Sequence, residues 1–172
     1  MSSANLSVLV GKNFACIKIA GRANFASSPD FKTLLNELAQ KGYAHFIIDL
    51  GECVLMDSTF LGVLAGFGMK LNPKGAPAER GIELHNATAR VSELLENLGA
   101  AHLFKLASGP IQLPADVKTC TPESINPSHE QITRTSLEAH QTLMEMNPEN
   151  VARFKDVAQL LAEDLKSLDK SS

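Results

Sequence analysis

Cysteine is scarce in this sequence, and its spacing excludes a fold held together by disulfides. The three cysteines, Cys16, Cys53 and Cys120, form no CxxC pair, and an odd, widely spaced set does not make a disulfide framework. Cys16 and Cys53 lie in apolar segments, where a free cysteine behaves as a small hydrophobic side chain. We therefore expect free thiols and a reduced, cytoplasmic setting.

Long hydrophobic runs and blocks of positive charge are also absent. No apolar run approaches the ~20 residues that a membrane-spanning helix needs, and the first residues lack the basic and apolar regions of a signal peptide. The net charge is −3, and the basic residues are scattered rather than clustered. The sequence therefore predicts a protein with neither a membrane nor a nucleic acid as its partner.

The residue patterns of metal sites, hydrolases and phosphate-binding loops are missing as well. The histidines are His45, His85, His102, His129 and His140. Only the last two share a predicted helix, and neither has an acidic or cysteine partner at ligand spacing. A serine nucleophile needs a base and an orienting acid, but the sequence has no G-x-S-x-G motif and no histidine placed for that role. We expect no metal, no cofactor and no enzymatic activity.

What the sequence does contain is an alternation of short apolar strands and amphipathic helices over residues 1–115. Strands are predicted at residues 6–10, 14–19, 45–50, 81–85 and 103–106. Helices are predicted from Ser28, from Ser58 and from about Thr88, and they end near Gly42, Asn72 and Gly99. The pattern predicts an α/β fold, in which helices pack on a small mixed β-sheet.

The C-terminal part has a different character. Residues 116–126 are predicted to be a linker, part of a proline-bearing stretch in which residues 111–113 could add a strand. Residues 127–172 are predicted to form a helical hairpin that turns at Asn147-Pro148, and so short a turn makes the two helices antiparallel. We expect the hairpin to lie outside the core of the first domain and to dock on that domain or on a second copy, as a homodimer.

The most informative segment joins the strand at residues 45–50 to the helix that follows it. Here Asp57-Ser58-Thr59 stands at the start of the helix, where Asp57 or Ser58 can serve as the cap. Gly62 and Gly66 are four residues apart on one face of this helix, and each costs up to ~1 kcal/mol in a helix interior. Their presence predicts a close approach of the sheet or of a partner to this face.

This segment resembles the central motif of the STAS domain family, the anti-sigma-factor-antagonist-like domains. The resemblance covers about residues 4–107: it includes Gly21 after the second strand and the closing strand, helix and strand from Gly81 onward. It implies that Ser58 is phosphorylated by a partner that is both an anti-sigma factor and an ATP-dependent serine kinase. The unmodified form would bind this partner and free a sigma factor for transcription, and the phosphorylated form would release it.

Several positions near Ser58 complete the predicted partner surface. We assign to it Asp57, Thr59 and Phe60, where Phe60 replaces a glycine that is usual in the family and is expected to narrow the approach to Ser58. Arg22 and Asn24 stand where the family usually has an acidic pair. Other functions that the resemblance allows are a module that binds a small ligand or lipid or serves a transport complex, and an oligomerising scaffold; in these Ser58 would be only a helix cap.

Overall fold

A computed structural model of the chain describes residues 4–72 and 81–170, and within them a mixed sheet forms the centre of the fold. Its strands are β1 (Asn5–Val10), β2 (Ala15–Ala23), β3 (His45–Asp49), β4 (Cys53–Met56), β5 (Gly81–His85), β6 (Phe104–Ala107) and β7 (Lys118–Cys120). The spatial order is β6-β5-β3-β2-β1-β7, and β4 pairs with β2 beyond the end of β3. The strands β2, β3, β5 and β6 are parallel, whereas β1 runs antiparallel to β2 and β7. The predicted small mixed sheet is confirmed.

The exchange of partners along β2 places the functional segment. Up to Lys18, β2 pairs with β3, and from Gly21 onward it pairs with β4. Gly21 has a φ of +90°, a conformation that glycine adopts without strain, and a register shift follows it. The bulge turns the end of β2 toward Met56, so that Ala23 and Asp57 become neighbours.

In the described part of the chain five α-helices pack around this sheet, and two of them form the core layer over it. They are α1 (Ser28–Gln40), α2 (Ser58–Leu71), α3 (Ala89–Asn97), α4 (His129–Met146) and α5 (Glu149–Lys170). The rings of Phe31 in α1 and Phe60 in α2 stack at 4.4 Å, and Phe67 of α2 meets Phe46 of β3 edge to face. All three of Phe31, Phe46 and Phe60 are fully buried, so the apolar faces of α1 and α2 close the core above the strands.

The predicted linker contributes a strand to the sheet, at a place other than the one expected. Residues 111–113 are not a strand; the added strand is β7, whose Lys118 and Cys120 pair with Val10 and Val8 of β1. All three residues of β7 are exposed, and the strand uses the backbone groups of the open β1 edge. Its formation depends on that edge rather than on an apolar pattern.

The two C-terminal helices form the predicted antiparallel hairpin. Contacts between His129 and Asp164 and between Leu143 and Asn150 join opposite ends of α4 and α5. The hairpin docks on its own domain, where α4 packs along α2. The expectation that the hairpin lies outside the core is wrong for α4, because Leu143 is fully buried and belongs to the same apolar cluster as Phe60.

The outer helix α5 leaves part of its apolar stripe uncovered. Val151, Val157 and Leu160 are exposed by 44%, 41% and 65%. The second helix therefore carries more apolar width than α4 covers, and homodimerisation through this face stays a prediction.

Among the described residues, no helix is long and apolar enough to cross a bilayer.

We predict that replacing Leu143 by alanine destabilises the whole chain. The side chain is fully buried between α4 and the core, so its loss should lower the free energy of unfolding by about 2–5 kcal/mol. Urea denaturation followed by circular dichroism measures this. The matched control is Leu160→Ala on the exposed face of α5, which should stay within about 0.5 kcal/mol of the unaltered chain. If Leu143→Ala lowers the free energy of unfolding as little as Leu160→Ala does, Leu143 of α4 does not contribute to the core.

Candidate functional site

Asp57 organises the start of α2. Its Oδ1 accepts a hydrogen bond from the backbone N–H of Phe60 at 2.9 Å, and its Oδ2 accepts one from the N–H of Phe25 at 2.7 Å. Its own N–H donates to the carbonyl of Ala23 at 3.0 Å. Asp57 is therefore the helix cap, and it ties the end of β2, a short 3-10 turn at Phe25–Ser27 and the first turn of α2 together.

The environment of Asp57 disfavours its charged form. Burial raises the pKa of this carboxyl above its ordinary value of 3.8, although the hydrogen bonds from Phe60 and Phe25 oppose the shift. Because the proton is then held more tightly in the folded chain than in the unfolded one, this group makes the fold less stable as the pH rises through the raised pKa.

Ser58, the first residue of α2, directs its hydroxyl at a histidine of the C-terminal hairpin. The distance from Ser58 Oγ to His140 Nε2 is 2.9 Å. On the other side of the ring, Nδ1 lies 2.7 Å from the carbonyl oxygen of Ser136. A carbonyl only accepts hydrogen bonds, so Nδ1 carries a hydrogen, and in the corresponding neutral tautomer Nε2 is the acceptor for the Ser58 hydroxyl.

The contact with α4 continues along α2. Thr59 Oγ1 and Ser136 Oγ are 2.8 Å apart, and both side chains are buried. One turn later, a Cβ atom placed on Gly62 would lie 2.6 Å from the carbonyl oxygen of Ala139. The glycine face that predicts a close approach is thus occupied by α4, and the approaching element is neither the sheet nor a second protein.

The other predicted surface residues lie on different sides of the α2 start. Arg22 is exposed at the end of β2 beside Leu55 of β4, and Asn24 is half-buried and caps the short 3-10 turn through Ser27. Both stand at the same edge of the sheet as Asp57. No described contact joins either side chain to Ser58.

The expected role of Phe60 at this surface is wrong. Its ring is fully buried and stacks on Phe31, so it belongs to the core. The reason is helix geometry, because a residue two positions after Ser58 points about 200° around the helix axis. The group that covers the Ser58 hydroxyl is His140.

The sequence analysis missed His140 and Ser136, and it found no base for Ser58. The structure brings such a base to Ser58, but its surroundings differ from those of a catalytic pair. The Nδ1 atom of His140 faces a backbone carbonyl rather than a carboxylate, and Phe154 of α5 packs on the ring at 4.9 Å. With His140 only 4% exposed, a substrate has no open route to both groups.

A second histidine cluster, also missed, lies on neighbouring strands. His45 of β3 and His85 of β5 both contact the carboxylate of Glu83. Burial opposes the charge of Glu83, but the hydrogen bonds from His45 and His85 outweigh it and hold the pKa of Glu83 below its ordinary value. The described residues contain no group of histidine, cysteine and acidic side chains that could hold a metal.

The raised pKa of Asp57 gives a testable pH dependence. We predict that Asp57→Asn, which keeps an oxygen to cap Phe60 N–H but has no charge to bury, gains stability relative to the unaltered chain as the pH rises above 3.8. Chemical denaturation of both proteins from acidic to neutral pH gives this difference. The variant Asp57→Ala, which removes both hydrogen bonds, should lose about 1 kcal/mol at neutral pH. A difference between the asparagine variant and the unaltered chain that does not change with pH would contradict this role of Asp57.

Comparisons with known proteins agree with this architecture. The protein-family model described as Mlab, STAS domain, matches residues 8–107, from β1 to the end of β6. Among solved structures, the anti-sigma factor antagonist SpoIIAA in its unphosphorylated form aligns with 64% of this chain and 90% of its own, at 13% identity and a TM-score of 0.48. No curated protein sequence matches the chain. The family match ends before β7 and the C-terminal hairpin.

Proposed function

This chain belongs to the STAS domain family, and from that premise we propose that it is a protein-binding switch controlled by phosphorylation of Ser58. The proposed partner is an anti-sigma factor that is also a serine kinase. It binds the chain while the Ser58 hydroxyl is unmodified and leaves once the hydroxyl carries a phosphate. The proposed role is therefore in signal transduction and the control of transcription, without catalysis by this chain.

The observation that carries this proposal is the position of Ser58 as the first residue of α2, directly after the capping carboxylate of Asp57. The N-terminus of a helix is the positive end of its dipole, and its first N–H groups point outward. A phosphate on Ser58 is therefore compatible with α2 and does not melt it. The modification changes what a partner meets and leaves α2 intact.

The added charge is the physical signal. A phosphate brings roughly −1.5 to −2 charges at neutral pH, next to a carboxyl that is already half-buried. A partner that packs against the neutral hydroxyl would have to strip water from this dianion, and any acidic group on the partner would be repelled. Release of the partner follows from these two costs.

The transfer that sets the switch belongs to the partner kinase. Ser58 Oγ attacks the γ-phosphorus of ATP, an oxygen–phosphorus bond forms, the bond to ADP breaks, and the hydroxyl proton passes to a base of the kinase. The chain supplies only the nucleophile. His140 does not serve as this base, because its ring is buried on α4 and packs against Phe154.

We predict that the serine-kinase anti-sigma factor encoded nearest to this gene transfers one phosphate from ATP to the full chain, on Ser58. Intact-mass and fragment mass spectrometry give the number and position, and Ser58→Ala should gain none. Ser58→Asp should weaken binding of the same partner at least about tenfold, because it places a second carboxylate beside Asp57. Its melting temperature should stay within a few degrees, since an acidic side chain suits a helix N-terminus.

Two results would contradict the proposed switch. One is a phosphate on another residue, such as Thr59, with Ser58 unmodified. The other is a Ser58→Asp variant that binds the partner as the unaltered chain does. Either result would favour the other functions considered, a ligand-binding or transport-complex module or an oligomerising scaffold.

A further inference from the structure

We propose that the α4–α5 hairpin is a built-in occupant of the partner-binding surface on α2, so that kinase and partner reach Ser58 only when α4 detaches. This inference rests on the proposed role of Ser58 and concerns the regulation of that site. The surface is defined here as the face of α2 formed by Ser58, Thr59, Gly62 and Gly66. In the structure α4 of the same chain contacts all four residues, of which Thr59 and Gly62 are buried and Ser58 and Gly66 are half-buried.

The residue pairs between α2 and α4 show how far α4 extends along this face. Ser58 and Thr59 bond to His140 and Ser136 of α4. Along α2, Gly62 then meets Ala139, and Gly66 meets Thr142. From Thr59 onward the contacts advance by about one turn on both helices, while His140 reaches back to Ser58, so α4 lies along this face as an external helix would. The surface is thus shaped for a helix with small residues at its contact points.

While α4 is docked, the contact between the Ser58 hydroxyl and His140 opposes phosphorylation. In-line transfer requires the γ-phosphate of ATP to approach the hydroxyl oxygen directly. In the closed arrangement that oxygen is 2.9 Å from His140 Nε2, and His140 is itself 4% exposed beneath Phe154. Turning the His140 ring away by itself would break its bond to the Ser136 carbonyl and its packing against Phe154. We therefore infer that α4 moves as a unit.

The chemistry of the α2–α4 contact suits such a movement. The face of α4 toward the domain buries three polar side chains, Thr135, Ser136 and His140. These groups exchange protein partners for water at a modest net loss, unlike a purely apolar core. Outside them, the ion pair between Lys32 of α1 and Glu138 of α4 is exposed and adds little. The apolar anchor is Leu143, near the hairpin turn, so the start of α4 is the part that is held mainly by polar contacts.

Docking of α4 on α2 lowers the apparent affinity of an external partner for this face. If only a fraction of molecules has α4 detached, partner affinity and phosphorylation rate are both reduced by that fraction. Any change that opens the hairpin without touching Ser58 should therefore raise both quantities together. Gly62 and Gly66 provide such a change and its control.

The two glycines differ in the room that α4 leaves them. A Cβ on Gly62 would lie 2.6 Å from the backbone oxygen of Ala139, so Gly62→Ala must push α4 away. A Cβ on Gly66 would lie 3.5 Å from Thr142 Cγ2, which is an ordinary contact. Both glycines lie inside α2, where alanine is the better helix former. The same substitution, one turn apart on the same helix face, thus opens the hairpin in one case and leaves it closed in the other.

The experiment compares the full-length chain with its Gly62→Ala and Gly66→Ala variants. Hydrogen exchange of residues 133–143 reports detachment of α4, and the initial rate of Ser58 phosphorylation by the same kinase with ATP reports access. We expect Gly62→Ala to exchange at least about tenfold faster in α4 and to be phosphorylated faster by a similar factor. The Gly66→Ala variant should match the unaltered chain in both measurements.

A second variant tests the same inference in the closed direction. In a Cys120→Ser background, the pair Gly66→Cys and Thr142→Cys places two thiols across the contact, since a Cβ on Gly66 lies 3.7 Å from Thr142 Oγ1. When oxidised, this protein should lose Ser58 phosphorylation, and reduction should restore it. Oxidised and reduced samples of one protein are matched in everything except the link between α2 and α4.

The outcomes separate this inference from the proposed switch. If Gly62→Ala frees α4 but the phosphorylation rate of Ser58 does not change, the hairpin is not a cover and the switch stands. The inference also fails if the oxidised cysteine pair is phosphorylated as fast as the reduced one, or if α4 exchanges equally slowly in all variants. If hydrogen exchange shows an open hairpin and Ser58 still gains no phosphate in any variant, the switch itself is wrong.

Discussion

Asp57 joins the three backbone segments that surround Ser58. It receives the N–H groups of Phe60 and Phe25, while its own N–H reaches Ala23, so one residue fixes the end of β2, the following turn and the start of α2. The position of Ser58 depends on this cap, because a different start of α2 would rotate the hydroxyl by about 100° per residue. The contact between Ser58 and His140 of α4 then follows.

The part of the site that could be predicted from the sequence is the part encoded locally. Capping residues before a helix placed Asp57, Ser58 and the start of α2 correctly, whereas β4, the strand directly before α2, is not among the predicted strands. The glycine pair indicated a close approach to one face of α2, which is confirmed by Ala139 at Gly62. These features depend on the residue types within about one or two helical turns, and a single sequence carries that information in full.

The part that could not be predicted depends on contacts between distant segments. His140 lies 82 residues from Ser58, and nothing near either residue indicates their meeting. The three residues of β7 are all exposed, so their pairing with β1 leaves no apolar pattern to read. The error at Phe60 is of another kind. The ring of Phe60 points into the core because of the helix face on which the residue lies. The expected surface role rests instead on the family position that Phe60 occupies.

In the proposed switch the Ser58 hydroxyl has two competing partners, His140 inside the chain and the kinase outside it. Glycine at positions 62 and 66 weakens α2 as a helix, yet at Gly62 it allows a helix to approach as closely as Ala139 does. Such a face is equally open to an external helix once α4 has left. The balance between the two is set by the α4 residues that meet this face, Ser136, Ala139 and His140, which lie outside the residues matched by the family model. In the proposed switch, the sensitivity to the partner is therefore encoded in α4, whereas the proposed switch residue Ser58 lies on α2.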